Sequence, residues 1–173
     1  MKQKHIDAYF KVAYAFADCS TAERLKVGAV VVKNHNILSI GYNGTPTGWD
    51  NTAETKDWMS RDAGGWLSPD EIEERWPHEE LIKDDDGWHH TDRYRLKTKP
   101  EVIHAESNAL MKLVRGSGGA DGATMFCTHA PCMQCAKLIY QSGITTLYFD
   151  QMYRDPSGIQ FLTKAGVEVH GIE

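Results

Sequence analysis

A chain of 173 residues, 41% hydrophobic and 25% charged, has the size of one ordinary domain and enough apolar material for a core, which excludes disorder throughout. It holds no run of eighteen apolar residues, so no membrane-spanning helix is expected, and a formal net charge of −5 speaks against a duplex nucleic acid as partner. The charge is uneven: residues 49–92 carry 14 acidic and 4 basic side chains, the remainder 10 and 15. A mildly positive body, suited to a small phosphorylated ligand, thus carries an acidic insertion.

In chain order, Ile6, Tyr9, Phe10, Ala13, Phe16 and Ala17 recur at helical spacing over 5–17. Val27–Lys33, a turn at 34–36 and Ile37–Tyr42 read as a β-hairpin. Residues 49–99 break this rhythm. They hold all five tryptophans (Trp49, Trp58, Trp66, Trp76 and Trp88), Gly64-Gly65 and Asp84-Asp85-Asp86. Within them Ser68-Pro69-Asp70-Glu71 is a capping box with proline at the first helical position, which predicts a short helix over 69–76. Tryptophan supplies apolar area that folding buries, so the insertion is expected to be a folded lid or interface element. Beyond it, 103–115 predicts a helix with Ala109, Leu110, Leu113 and Val114 on one face, stopped by Gly116. A strand over 123–128, a helix from Pro131 to Gly143, a strand over 144–149, a helix over 157–165 and a strand over 167–170 complete the chain. The expected fold class is α/β: one domain over 1–173 with a mixed sheet covered by helices on both faces, interrupted by the insertion.

The N-terminus lacks the apolar run of a secretory signal, so a cytosolic chain is expected. There the four cysteines (Cys19, Cys127, Cys132 and Cys135) are metal-binding, reactive or buried rather than a disulfide framework. Cys132 and Cys135 are three apart at a helix start, and His104 stands at another. Helix starts direct backbone N–H groups and a positive field at such side chains, which favours thiolates. One His and two Cys make three donors for a tetrahedral zinc and leave the fourth position open, the mark of a catalytic site. Glu106 follows His104 too closely to be a convenient fourth ligand, but stands where a carboxylate can take a proton from activated water and return it to a leaving group. Each half alone is weak. The Cys pair alone suits a redox couple, and further cysteines would close a structural Cys₃His or Cys₄ site. Cys127 falls in an apolar strand and reads as core, and Cys19 lies far away in sequence.

His104-Ala-Glu-Ser-Asn-Ala-Leu110 and Ala130-Pro-Cys-Met-Gln-Cys-Ala-Lys137 resemble the cytidine deaminase superfamily, whose zinc signature is H-x-E with P-C-x-x-C. Gly41-Tyr-Asn-Gly44 with Pro46 and Gly48, together with Gln141-Ser-Gly-Ile144, narrows the resemblance to deoxycytidylate (dCMP) deaminases. It covers residues 5–48 and 100–170, and the insertion is similar in position to that of phage members. The resemblance implies a three-layer α/β/α cytidine-deaminase-like fold with a five-stranded mixed sheet. It implies zinc held by His104, Cys132 and Cys135, Glu106 as proton shuttle, and hydrolysis of dCMP to dUMP and ammonia for thymidylate synthesis. It further implies a homo-hexamer activated by dCTP and inhibited by dTTP with Mg²⁺ at a separate site, in the cytoplasm of a host cell if phage-encoded. Related activities are a bifunctional dCMP/dCTP or other free-pyrimidine deaminase and a tRNA adenosine deaminase. A structural zinc module is the rival of a different class.

Secondary candidates follow the same resemblance. Asn43 and Gly44 form a turn that meets nucleotide in the family. Arg115 suits a phosphate or a subunit contact, Tyr153 the deoxyribose or phosphate, and Arg24 and Lys26 an effector triphosphate. Cys19 with His89 or His90 would form a second zinc site of the kind found in some phage relatives, although Trp49 and Tyr94 stand where histidines are expected. His5, His35, His78, His129 and His170 are read as structural or exposed.

Overall fold

The computed structural model describes residues 1–60, 65–83, 87, 89–116 and 118–172, with His89 described for its backbone only. Trp88, Gly64, Asp84–Asp86 and the side chain of His89 lie outside the described residues. The chain divides into two compact units: Met1–Asn51 with Glu101–Glu173, and Thr52–Pro100. The second is the insertion, its bounds close to the 49–99 read from composition.

The first unit contains α1 (Gln3–Ala17), β1 (Gly28–Lys33) and β2 (Asn36–Tyr42) before the insertion. After it come α3 (Ala105–Arg115), β6 (Thr124–His129), α4 (Met133–Gln141), β7 (Thr146–Gln151), α5 (Ser157–Lys164) and β8 (Glu168–Gly171). Its five-stranded sheet runs β2-β1-β6-β7-β8. β1 pairs antiparallel with both β2 and β6, whereas β6–β7 and β7–β8 are parallel. One core lies between the sheet and α3, α4 and α5; another lies between its opposite face and α1, where Tyr9 and Phe10 pack on Phe126. The result is the expected three-layer mixed sheet. β1 is buried from Gly28 to Val32, as a strand covered on both faces must be, and this explains its unbroken apolar run. The hairpin closes through Asn34 and His35, both at positive φ (51° and 63°), the two-residue turn whose twist matches paired strands.

The face expected on α3 holds for Ala109, Leu110 and Leu113 and fails for Val114, which is 71% exposed. At 3.6 residues per turn Val114 lies about half a turn from Ala105. Ala105 and Glu106 start the buried stripe, so the arc is centred away from Val114.

The insertion departs furthest from expectation. Besides α2 (Pro69–Arg75), whose Ser68–Glu71 capping box is present, it contains β3 (Glu54–Trp58), β4 (His78–Lys83) and β5 (His89–Thr98). These form an antiparallel sheet in the order β3-β5-β4. Its strands escaped the sequence reading because Glu54–Trp58 and His78–Lys83 are charged on both faces and lack the apolar alternation of half-buried strands. Nor are Trp58 and Trp66 buried as expected, at 39% and 91% exposed, nor is Trp49 just before the unit, at 59%; Trp76 is half-buried. Surface pairs replace a core. Arg95 binds Asp57 at 2.7 Å, Lys56 pairs with Glu80, and Trp58, Tyr94 and His78 form an aromatic row across the three strands.

Candidate active site

His104 and Cys132 are the N-cap residues of α3 and α4, both with extended backbone. On the α3 side, Gly44 and Ile103 form a bridge with N–H···O bonds of 3.1 and 2.9 Å, tying the 43–48 loop to the residue before His104. On the α4 side, the Ala130 N–H donates to Gln151 O at 2.8 Å, fixing the turn between β6 and Cys132 to the end of β7. One helical turn then carries Cys135 beside Cys132.

These elements bring three donors together. His104 Nδ1 lies 3.6 Å from Cys132 Sγ and 3.4 Å from Cys135 Sγ, and all three donor atoms lie within 4.8 Å of one another. A tetrahedral zinc with bonds of about 2.1 Å to nitrogen and 2.3 Å to sulfur has an N···S edge of roughly 3.6 Å, so the spacing fits that ion. Among the described residues no other His, Cys, Asp or Glu joins the group, which leaves one tetrahedral corner for a non-protein ligand.

The electrostatics suit the same use. Hydrogen bonds from Cys135 and then His104 pull the Cys132 thiol down to about 3, so its thiolate is ready-made. The Cys135 thiol is pushed up, first by its bond to Cys132 and then by burial. His104 is raised chiefly by its bond to Cys132. Glu106 is 4% exposed; burial raises its pKa, against a hydrogen bond from its own backbone N–H and the charge of His104. A carboxyl held in this way can exist in both protonation states nearer neutrality than a solvated one. Cys127 is wholly buried, with its thiol pushed well up by burial, and is core as expected.

The secondary candidates are placed as follows. The Asn43 side chain binds backbone at both ends, accepting from Val27 N–H and donating to Leu25 O at 2.8 Å each, so it braces the loop before β1. A Cβ on Gly44 would meet nothing within 4 Å, so this position faces open space. Tyr153 is half-buried against the core on the α3–α5 face, with Arg154 5.8 Å from its ring. Arg115 is exposed in the last turn of α3, roughly 16 Å along the helix from His104. Arg24 and Lys26 are exposed in the loop before β1. Cys19 is exposed and directs its thiol at Ala15 O, and the His90 ring lies 3.2 Å from Asp92.

Two supporting residues, Ser39 and Asn108, went unassigned at the sequence level, and His129 is structural, within the reading given for it. Ser39 Oγ donates to Ala109 O at 2.8 Å and Asn108 Nδ2 to Tyr42 O at 2.9 Å, clasping β2 to α3. His129, 9% exposed, binds Thr128 Oγ1 at 3.1 Å and the Gln151 side chain, with its pKa lowered chiefly by burial. Asn108 sits inside the quoted His104–Leu110 motif, which was the available signal.

The sequence profile of the cytidine and deoxycytidylate deaminase zinc-binding region matches residues 3–151. Deoxycytidylate deaminase of Enterobacteria phage T2 is 34% identical over 171 residues, covering 94% of this chain and 89% of that protein. The enzyme of Enterobacteria phage T4 is also 34% identical, over 94% of this chain and 86% of its own length. The crystal structure of dCMP deaminase from cyanophage S-TIM5 in complex with dCMP and dUMP superposes with a TM-score of 0.74 at 36% identity, covering 99% of both chains. With a profile match over residues 3–151 and relatives 34% identical over most of its length, the chain belongs to the cytidine and deoxycytidylate deaminase family.

Proposed function

We propose that this chain is a dCMP deaminase, converting dCMP and water to dUMP and ammonia at a zinc held by His104, Cys132 and Cys135. The observation that carries the reading is the open-cornered donor triad with a buried carboxyl two residues beyond His104, in a chain similar to a phage enzyme crystallised with dCMP and dUMP. Zinc bound there supplies the Lewis acidity that makes water a nucleophile at neutral pH. Glu106 would take the proton that water loses on attacking C4 of the cytosine ring and deliver it to N3; it would then take the second proton from the new C4 hydroxyl and pass it to the amino nitrogen as the C4 carbonyl forms and the C–N bond breaks. Its burial excludes bulk water and raises its pKa, which favours uptake of the proton.

The finer parts of the proposal are substrate and effector contacts by Asn43, Gly44, Arg115, Tyr153, Arg24 and Lys26, and regulation by dCTP and dTTP with Mg²⁺ in a homo-hexamer. The enzyme would be a single deaminase domain carrying its insertion and working in the cytoplasm. Among the described residues no helix is long and apolar enough to cross a membrane. The test is ammonia release from dCMP, dCTP, CMP and deoxycytidine, with and without dCTP and dTTP as effectors. dCMP is expected to be the preferred substrate. Glu106→Gln is expected to keep stoichiometric zinc and lose roughly 10²–10⁴-fold in rate. Normal turnover in that variant would remove Glu106 from the chemistry, and absence of dCMP turnover by wild-type protein would sink the substrate.

A further inference from the structure

Two glycines bring other elements hard against the backbone of the two ligand segments. A Cβ on Gly158, in the first turn of α5, would stand 2.1 Å from Pro131 O and 2.9 Å from the carbonyl carbon of Cys132. A Cβ on Gly41, in β2, would stand 2.2 Å from Ala105 O and 2.5 Å from the Ala109 nitrogen. Ala105 separates His104 from Glu106, so both contacts fall on residues that carry or adjoin the donors. Neither glycine is at positive φ, so space and not backbone conformation requires glycine. Carbon-to-oxygen contacts settle near 3.3 Å, so a methyl group at either place forces a displacement of about 1 Å. Metal-ligand distances tolerate only about 0.2 Å.

We propose that Gly41 and Gly158 are positioning residues of the metal centre: by admitting β2 and α5 to backbone contact, they set from opposite sides the spacing of the His104, Cys132 and Cys135 donors. The inference rests on reading those three as metal ligands. Ser39 and Asn108 secure the β2 contact, and the fully buried Leu162 anchors α5 on the other side. A third glycine supplies the control. A Cβ on Gly28 would stand 1.9 Å from Ala13 O, an equal clash, but its partner is α1 on the opposite face of the sheet.

The test uses the full chain loaded with cobalt(II), read by thiolate-to-cobalt charge-transfer absorption and by chelator competition. Gly158→Ala and Gly41→Ala are expected to change the band and weaken metal binding by roughly 10–100-fold. Gly28→Ala is expected to lower Tm while leaving the band and the affinity as in wild type. Should the two glycine variants not fold, Leu162→Val, which loosens α5 by one methylene, is expected to shift the band and the affinity in the same direction, and unchanged values there would overturn the proposal. A wild-type protein without the charge-transfer band removes the metal reading and this inference with it. A normal wild-type band that Gly158→Ala and Gly41→Ala leave unmoved, or an equal loss of affinity in Gly28→Ala, overturns the inference alone.

Discussion

The body and the insertion are stabilised by different physics. In the body, β1 and β6 each bury five consecutive residues, and helices cover both faces of the sheet. In the insertion, only Ala53 and Glu54 are buried among the described residues, and α2 buries none of its side chains. Its order rests on backbone ladders, a capping box, ion pairs such as Arg95–Asp57, and an aromatic row. Exposed ion pairs contribute about 0–1 kcal/mol each, and a unit this small draws little from hydrophobic burial. The difference teaches where stability and chemistry reside: the donor triad stands in the well-packed unit, while the exposed Trp58 and Trp66 stand in the poorly packed one.

The largest expected effect is at the triad. His104→Ala should abolish both stoichiometric zinc and turnover, a loss of several kcal/mol of transition-state stabilisation, or roughly a thousandfold or more in rate. Retained zinc with normal rates would refute the ligand role. Next comes the contrast in packing. Phe126→Ala, at a fully buried position of the body, should cost about 3–5 kcal/mol in denaturant melts. Trp66→Ala, at a 91% exposed position, should stay within about 0.5 kcal/mol. Comparable losses would erase the distinction between the two units.

A smaller effect separates Glu106 from the rest of the buried layer. Burial raises its pKa in the folded state above the ordinary 4.5. Protonated Glu106 therefore costs the fold nothing extra below pH 4.5, and stability is lost as pH rises through the raised folded value. Metal-free Glu106→Gln should accordingly be more stable than metal-free wild type at neutral pH, with the gap closing toward pH 4.5. A pH-independent gap in chemical melts would contradict this. The smallest effect concerns order of unfolding. All five tryptophans lie between residues 49 and 88, so indole fluorescence reports on the insertion and its threshold. Its midpoint in urea should precede the loss of far-UV ellipticity from the body. Coincident midpoints would join the two units into one cooperative block.

Much of this was legible in the residues themselves. The apolar run at 28–32, the periodicity of 105–113 and the capping box at Ser68 are local signals, and local signals survive in a sequence because backbone geometry repeats every two or 3.6 residues. The His104 and Pro131–Cys135 motifs pointed to side chains whose donor atoms the fold does gather, because each motif is tied to a helix start. Tertiary structure decided the rest. It chose the side of α3 that left Val114 outside, and it spent the Asn43 amide on Leu25 and Val27. It also built strands from charged segments whose ladder bonds do not depend on side-chain hydrophobicity, and it left tryptophans exposed where composition alone expected burial. Whether an atom is buried, and which distant backbone it touches, depends on the packing of elements far apart in the chain, and no spacing within a single element records that.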